Sequence, residues 1–171
     1  MQFSTRTVTN LSLLTAVSIV LTRVFAVAVP ISGHTVLRLS FGEIPVMLAG
    51  VLFGPLPGAL TGAAADLIGY FINPFGGPFF PGFTISAALT GLLAGLMLGR
   101  AKSYTWKQMG MMVAVNDLLT SVVLNTIWLV MLYQLDARIV LPTRIAARLV
   151  TIPIYTVVLV LIAQAYRKYS R

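Results

Sequence analysis

Cysteine is absent from this 171-residue chain, histidine occurs once, and there are only four carboxylates. The first absence excludes disulfides, thiolate catalysis and thiolate-bound metal. The other two leave little from which to build a metal site, and no metal or cofactor is expected. Charge of any kind is scarce, at 9% of residues, while 58% are hydrophobic and the mean hydropathy is +0.93. A soluble domain of this length cannot hide that much apolar surface. Lipid is therefore the expected solvent, and one compact membrane domain over residues 1–171 the expected organisation. Also missing is a long basic run interleaved with aromatics, so the net charge of +8 reads as charge flanking membrane helices and not as a nucleic-acid footprint.

What is present is a series of six apolar segments: about residues 5–29, then Phe41–Gly54, Leu56–Ile72, Phe83–Gly99, about Trp106–Tyr133, and Thr143–Tyr169 entered through Pro142. The expected fold is all-α, a compact bundle of six transmembrane helices. Arg6 followed by an apolar run and Ala26-Val27-Ala28 is a weak likeness to a cleavable signal peptide; an uncleaved first helix is the better reading. The second segment rises only about 21 Å as a helix, short for a hydrocarbon core of about 30 Å. It must tilt, thin the bilayer or be shielded by its neighbours.

With six spans both termini share one side. That side holds Arg6, Arg100, Lys102, Lys107, Arg167, Lys168 and Arg171, against Arg23, Arg38, Arg138, Arg144 and Arg148 on the other. The bias places both termini in the cytoplasm. Three loops then face outward: Pro30–Ser40, Asn73–Gly82 and Gln134–Leu141. Small residues recur every fourth position, at Gly50, Gly54, Gly58 and Gly62 and again at Ala87, Gly91, Gly95 and Gly99. Such faces bring helices close in lipid.

The chain is organised around Asp66–Thr84, where a helix bearing a carboxylate leads into a loop of Pro, Gly and Phe. Tyr70, Phe71, Phe75, Phe79, Phe80 and Phe83 lie here, six of the 17 aromatics. An exposed turn avoids that many rings, so the loop reads as the lid and wall of a small-molecule site. Helical rise puts Asp66 about 10 Å, Arg23 about 9 Å, Asn125 about 12 Å, Trp128 about 8 Å and Arg148 about 9 Å below the outer helix ends. Arg144 stands one turn above Arg148. Ionisable residues within spans are functional hypotheses by default. Blander readings stand beside this one. Asp66 can pair with Arg23 or Arg148 for neutrality alone, Asn125 can be interhelical glue, Trp128 can be packing and Arg144 can snorkel. Glu43 begins a helix, where a carboxylate suits the dipole. His34 reads as a solvated loop residue, and Asn116 and Asp117 have no legible role. The outer arginines favour an anion, the lid favours a flat ring, and Asp66 can accept two adjacent N–H donors. The first turn of the fourth helix adds free backbone N–H groups near Phe83 and Thr84. The ligand drawn from these groups has an aromatic head with paired donors and an anionic tail.

Four stretches carry a family resemblance: Leu39-Ser40-Phe41-Gly42-Glu43-Ile44-Pro45-Val46, Gly50-Val51-Leu52-Phe53-Gly54-Pro55, Ala65-Asp66-Leu67-Ile68-Gly69 and Phe79-Phe80-Pro81-Gly82-Phe83-Thr84. In this order and spacing, with six helices, the chain resembles the substrate-binding S components of energy-coupling-factor vitamin transporters, most closely the folate-specific kind. The resemblance implies a binding subunit for folate in the bacterial cell membrane, with another anionic vitamin such as pantothenate as the alternative. It implies docking of the first helix on a transmembrane coupling protein that carries two ATPases, and delivery by toppling in the membrane. Ser12, Ala16 and Val20 stand where the family has a small-residue docking face. No Gly-x-x-x-x-Gly-Lys-Ser/Thr motif occurs, so ATP hydrolysis is expected in the partners. The rival class, an intramembrane lipid-modifying enzyme, lacks a His-Glu-x-x-His, a Gly-x-Ser-x-Gly or a paired-Asp motif. A structural or channel subunit is the third reading, and predicts no tight ligand.

Overall fold

The computed structural model describes residues 4–31, 34–74, 77–99, 101 and 104–169, with side chains described for all of these except 27–39, 167 and 169. Helix α1 (Thr5–Arg23) starts at Ser4, whose hydroxyl accepts from Thr7 N at 3.3 Å, a standard N-cap. A hairpin follows: β1 (Val27–Ile31) pairs antiparallel with β2 (His34–Leu39). The segment between α1 and the next helix is thus a two-stranded ribbon, which the all-helical expectation did not contain. Its register shifts between Val29 and Pro30, where proline has no N–H to give the ladder.

Helices α2 (Glu43–Phe53) and α3 (Pro55–Ile72) are separated only by Gly54. Its φ of 102° suits glycine and strains other residues. Pro55 opens α3, and Pro81 opens α4 (Pro81–Leu98) in the same way. The first helical turn has orphan N–H groups, so a proline there loses nothing. From Trp106 to Tyr133 the helix is continuous but not uniform: α5 (Trp106–Asn116), a π-helical stretch (Asp117–Leu124) and α6 (Asn125–Tyr133). Gln134 ends it in a left-handed conformation. The last helix, α7 (Ala137–Tyr169), begins six residues before the expected Thr143. Asp136 explains the early start, because its carboxylate accepts from Arg138 N at 2.8 Å. Pro142 and Pro153 therefore lie inside the helix, as membrane helices tolerate.

Among the described residues three helices are long and apolar enough to cross a membrane: Pro81–Leu98, Trp106–Tyr133 and Ala137–Tyr166. Helices α1 and α3 have comparable length, but hydroxyls, glycines and charged residues dilute them. The short α2 is shielded by its neighbours, with Ile44 through Val51 buried without interruption. Met47 and Val51 pack there against Met109, Met112 and Val113 of α5 and Tyr155, Leu159 and Val160 of α7.

The two small-residue series face each other. A Cβ on Gly91 would lie 2.0 Å from the Gly58 carbonyl oxygen, one on Gly62 2.0 Å from that of Ala87, and one on Gly50 2.3 Å from that of Gly91. Helices α2, α3 and α4 thus touch backbone to backbone, which gives dense dispersion contact where lipid supplies no hydrophobic drive. Gly110 differs, since its nearest neighbour, Thr156 Cγ2, would stand 3.5 Å from the new carbon. Gly91→Val is expected to destabilise the protein by about 1–3 kcal/mol, the usual range for overpacking. Gly110→Ala is expected to be neutral or slightly stabilising. Thermal midpoints of the two variants in detergent check both outcomes.

Candidate ligand-binding site

A cavity of about 360 Å³ opens between α1, α2, α3, α4, the π stretch, α6 and α7, within the size range of small-molecule sites. Many of the residues singled out in the sequence line it: Arg23, Asp66, Tyr70, Phe79, Phe80, Phe83, Asn125, Arg144 and Arg148. Thr84 and Trp128 stand one layer behind. Thr84 Oγ1 donates to Asp66 Oδ2 at 2.7 Å. Trp128 Nε1 donates to Ser86 Oγ at 3.0 Å, and its ring lies 5.7 Å from that of Phe80. The Arg38 side chain, His34, Phe75, Arg100 and Lys102 lie outside the described residues or side chains.

The upper cluster is built on Asp66. Arg23 Nη2 approaches Asp66 Oδ1 at 3.3 Å and its main-chain oxygen at 3.3 Å. Arg23 Nη1 donates to the Asn73 carbonyl at 2.8 Å, and Asn73 Nδ2 returns a bond to Arg23 O at 3.4 Å. One guanidinium therefore ties the end of α1 to the end of α3. It lies against α3 only because residue 69 is glycine: a Cβ there would be 2.7 Å from Arg23 Nε. Over this cluster the Pro-Gly-Phe loop folds inward, with Pro74, Gly77, Pro78, Phe79 and Phe80 on the cavity wall. Tyr70 Oη donates to Gly77 O at 3.3 Å, and the Tyr70 and Phe79 rings are 5.2 Å apart. A Cβ on Gly82 would strike the rings of Phe80 and Trp128, so this glycine sets the aromatic wall.

A second ionic cluster corrects the expectation of a single level of charge. Arg148 does not meet Asp66. Its Nη1 and Nη2 engage Glu43 Oε2 and Oε1 at 3.1 and 3.3 Å, and Nη1 also engages Asp117 Oδ2 at 3.3 Å. The early start of α7 puts Arg148 eleven residues, about 16 Å, into its helix. Ser18, about 7 Å of helix below Arg23, donates to Gly42 O at 2.8 Å, which sets the depth of neighbouring Glu43. Arg144 does not snorkel outward: it is 7% exposed, and its Nη1 donates to Ser121 O at 2.6 Å. The π stretch makes these contacts available. Asn125 N bonds back to Thr120 O, a five-residue step that widens the helix, and such bulges gather at functional sites.

Glu43 and the hydroxyl lining were not recognised as site residues in the sequence, nor Asp117 as the ionic partner behind that wall. A signal existed. Arg148 within a span requires buried carboxylates, and Glu43 and Asp117 were two of only three left after Asp66. The hydroxyls also repeat at helical spacing, Ser18 with Thr22 and Ser86 with Thr90, and all four line the cavity. Asn116, likewise unplaced, is buried and donates through Nδ2 to Thr90 O at 2.7 Å, a tie between α4 and α5. Asn125 lines the cavity with a buried Oδ1 that accepts no hydrogen bond among the described residues. Together the walls offer carboxylate and amide acceptors beside aromatic faces, which suits a flat ligand edged with N–H donors.

A family model described as the S component of an ECF-type riboflavin transporter matches residues 2–168. A solved structure described as FolT bound with folic acid is 28% identical, with a TM-score of 0.79 over 92% of this chain and 93% of that one. Another, described as the S component of a bacterial ECF transporter, superposes with a TM-score of 0.69 over 97% of this chain and 98% of that one. At 18% identity it shows the fold alone. No curated protein sequence matches significantly.

Removing the Arg148 guanidinium leaves two carboxylates facing one another inside the bundle. Arg148→Ala is expected to destabilise the protein by about 3–5 kcal/mol, as for other broken buried ion pairs. Adding Glu43→Gln and Asp117→Asn should restore most of the loss. Thermal unfolding of the single and triple variants in detergent measures both.

Proposed function

The chain belongs to the family described as the S component of ECF-type riboflavin transporters, and from that premise we propose that it is a membrane-embedded binding subunit whose vitamin is folate. The observation that carries the reading is the Asp66 carboxylate, held by Arg23 and Thr84 on the wall of an aromatic-lidded cavity. That cavity lies in a chain similar over nine-tenths of its length to a folic-acid-bound protein. The pterin head of folate carries adjacent N–H donors for a carboxylate and a flat face for Phe79, Phe80 and Phe83. Its glutamate tail is anionic, and the guanidiniums of Arg23, Arg144 and Arg148 line the cavity. Riboflavin, named by the family description, shares the flat ring but has no anionic tail, which is why folate is preferred.

The proposed topology is one unit of six transmembrane helices with both termini in the cytoplasm of a bacterial cell, oriented by the basic residues at those ends. Folate enters from outside beneath the loop that follows α3. The chain itself hydrolyses nothing. A transmembrane coupling protein and two ATPases supply the energy, and toppling of the docked subunit delivers the vitamin. Ser12, Ala16 and Val20 are the proposed docking face; all three are exposed along one side of α1, which supports that role.

Asp66→Asn keeps an acceptor for Arg23 and removes the charge that a ligand would meet. It is expected to weaken folic acid binding by about ten-fold or more, since hydrogen bonds to a charged group are worth about 1.5–3 kcal/mol, and to lower the melting temperature, because Arg23 loses its counter-ion, while leaving the protein folded at the titration temperature. Isothermal titration checks this, and affinity equal to that of the unaltered protein would show that the head group binds elsewhere. In a Trp106→Phe background folic acid should quench Trp128 emission, because Trp128 backs the Phe80 wall.

A further inference from the structure

We propose that Glu43 is a second ligand-contacting acceptor, set more than one helical turn deeper than the Asp66 cluster, and that it selects ligands carrying an N–H group at that depth. The inference rests on the folate reading and adds a specificity determinant to the same cavity.

Three observations carry it. The first is a gradient of exposure through the Arg148 cluster. The side chain of Glu43 is 26% exposed, that of Arg148 9% and that of Asp117 0%. Glu43 and Arg148 line the cavity and Asp117 does not. The most open group of the cluster is therefore a carboxylate. The second is acceptor capacity. Among the described residues Glu43 receives two bonds from Arg148 and one from Ser121 Oγ at 3.2 Å, whereas an ionised carboxylate offers about four acceptor positions. The third is the state of the guanidinium, which already bridges two carboxylates. At this depth a ligand N–H meets a charged acceptor, a strong hydrogen bond in a dry site, while a ligand carboxylate beside Glu43 is repelled. Folic acid has N–H groups both on its pterin edge and further along, so acceptors at two depths can hold it at two points.

Charge balance supplies a control. The cluster has one guanidinium and two carboxylates, so Glu43→Gln and Asp117→Asn each leave Arg148 with one carboxylate. Each variant removes one carboxylate from the cluster and keeps the other against Arg148, and the two differ in which carboxylate faces the cavity. Folic acid affinity is measured by isothermal titration for the unaltered protein and both variants. Glu43→Gln is expected to weaken binding by about ten-fold or more, and Asp117→Asn by no more than about three-fold. Equal losses in the two, or Glu43→Gln within about three-fold of the unaltered protein, overturn the proposal. A second measurement needs no substitution. Glu43 is the only glutamate in the chain, so protein labelled with carboxyl-¹³C glutamate shows one side-chain resonance. Saturating unlabelled folic acid is expected to shift it, and a resonance that stays in place overturns the assignment even if the Gln variant fails to fold. If the unaltered protein binds no folic acid, the folate reading falls and takes this one with it. If it binds folic acid while Glu43 stays indifferent, only the second acceptor falls.

Discussion

An ion inside a lipid-embedded bundle must find its counter-ion within the same bundle. Arg23 and Arg148 meet that constraint with Asp66, Glu43 and Asp117, and the arrangement of the helices follows from it. The Arg148 cluster draws α2, the π stretch and α7 to one point. The Arg23 cluster ties α1 to α3 and to the first residue of the loop that closes over the cavity. Because these groups are held by partners with little freedom to reorganise, the polar wall between them is prearranged for a ligand, which lowers the ordering cost of binding.

Close helix packing provides the other half. Backbone contact along Gly50, Gly58, Gly62 and Gly91 makes α2, α3 and α4 behave as a dense slab, and the cavity opens between that slab and α1, α6 and α7. The same residue type serves a different end at Gly69 and Gly82, where it makes room for Arg23 and for the Phe80–Trp128 wall. Gly50, Gly58, Gly62 and Gly91 of the four-residue series thus serve helix contact, while Gly69 and Gly82 serve the site.

Much of this was legible in the sequence, for identifiable reasons. Long apolar runs delimit the helices because lipid requires them. The aromatic loop announces itself because so many rings are out of place in water. A partner for Asp66, either Arg23 or Arg148, follows from the need to neutralise charge, and the fold supplies Arg23. What stayed hidden depended on tertiary context. The π stretch has no composition of its own, so Ser121 could not be assigned to the cavity wall, nor Asp117 to the ion cluster behind it, by counting helical turns. The capping role of Asp136 moved the start of α7 and with it the depth of Arg148, which separated one expected level of charge into two. Glu43 satisfied a familiar rule about helix starts, and that rule concealed its ion pair. The hydroxyl pairs Ser18/Thr22 and Ser86/Thr90 were visible at helical spacing, yet nothing local distinguishes a hydroxyl facing a cavity from one bonded back to its own helix.

The central claim is that the cavity between the Asp66 and Arg148 clusters holds a folate. Native mass spectrometry of the protein extracted from membranes in mild detergent tests it most directly, by weighing what leaves the cavity on activation. The account predicts a single adduct per chain with the mass of a folate. An adduct with the mass of riboflavin, or a protein that carries only lipid and takes up no folic acid when it is supplied, would contradict it.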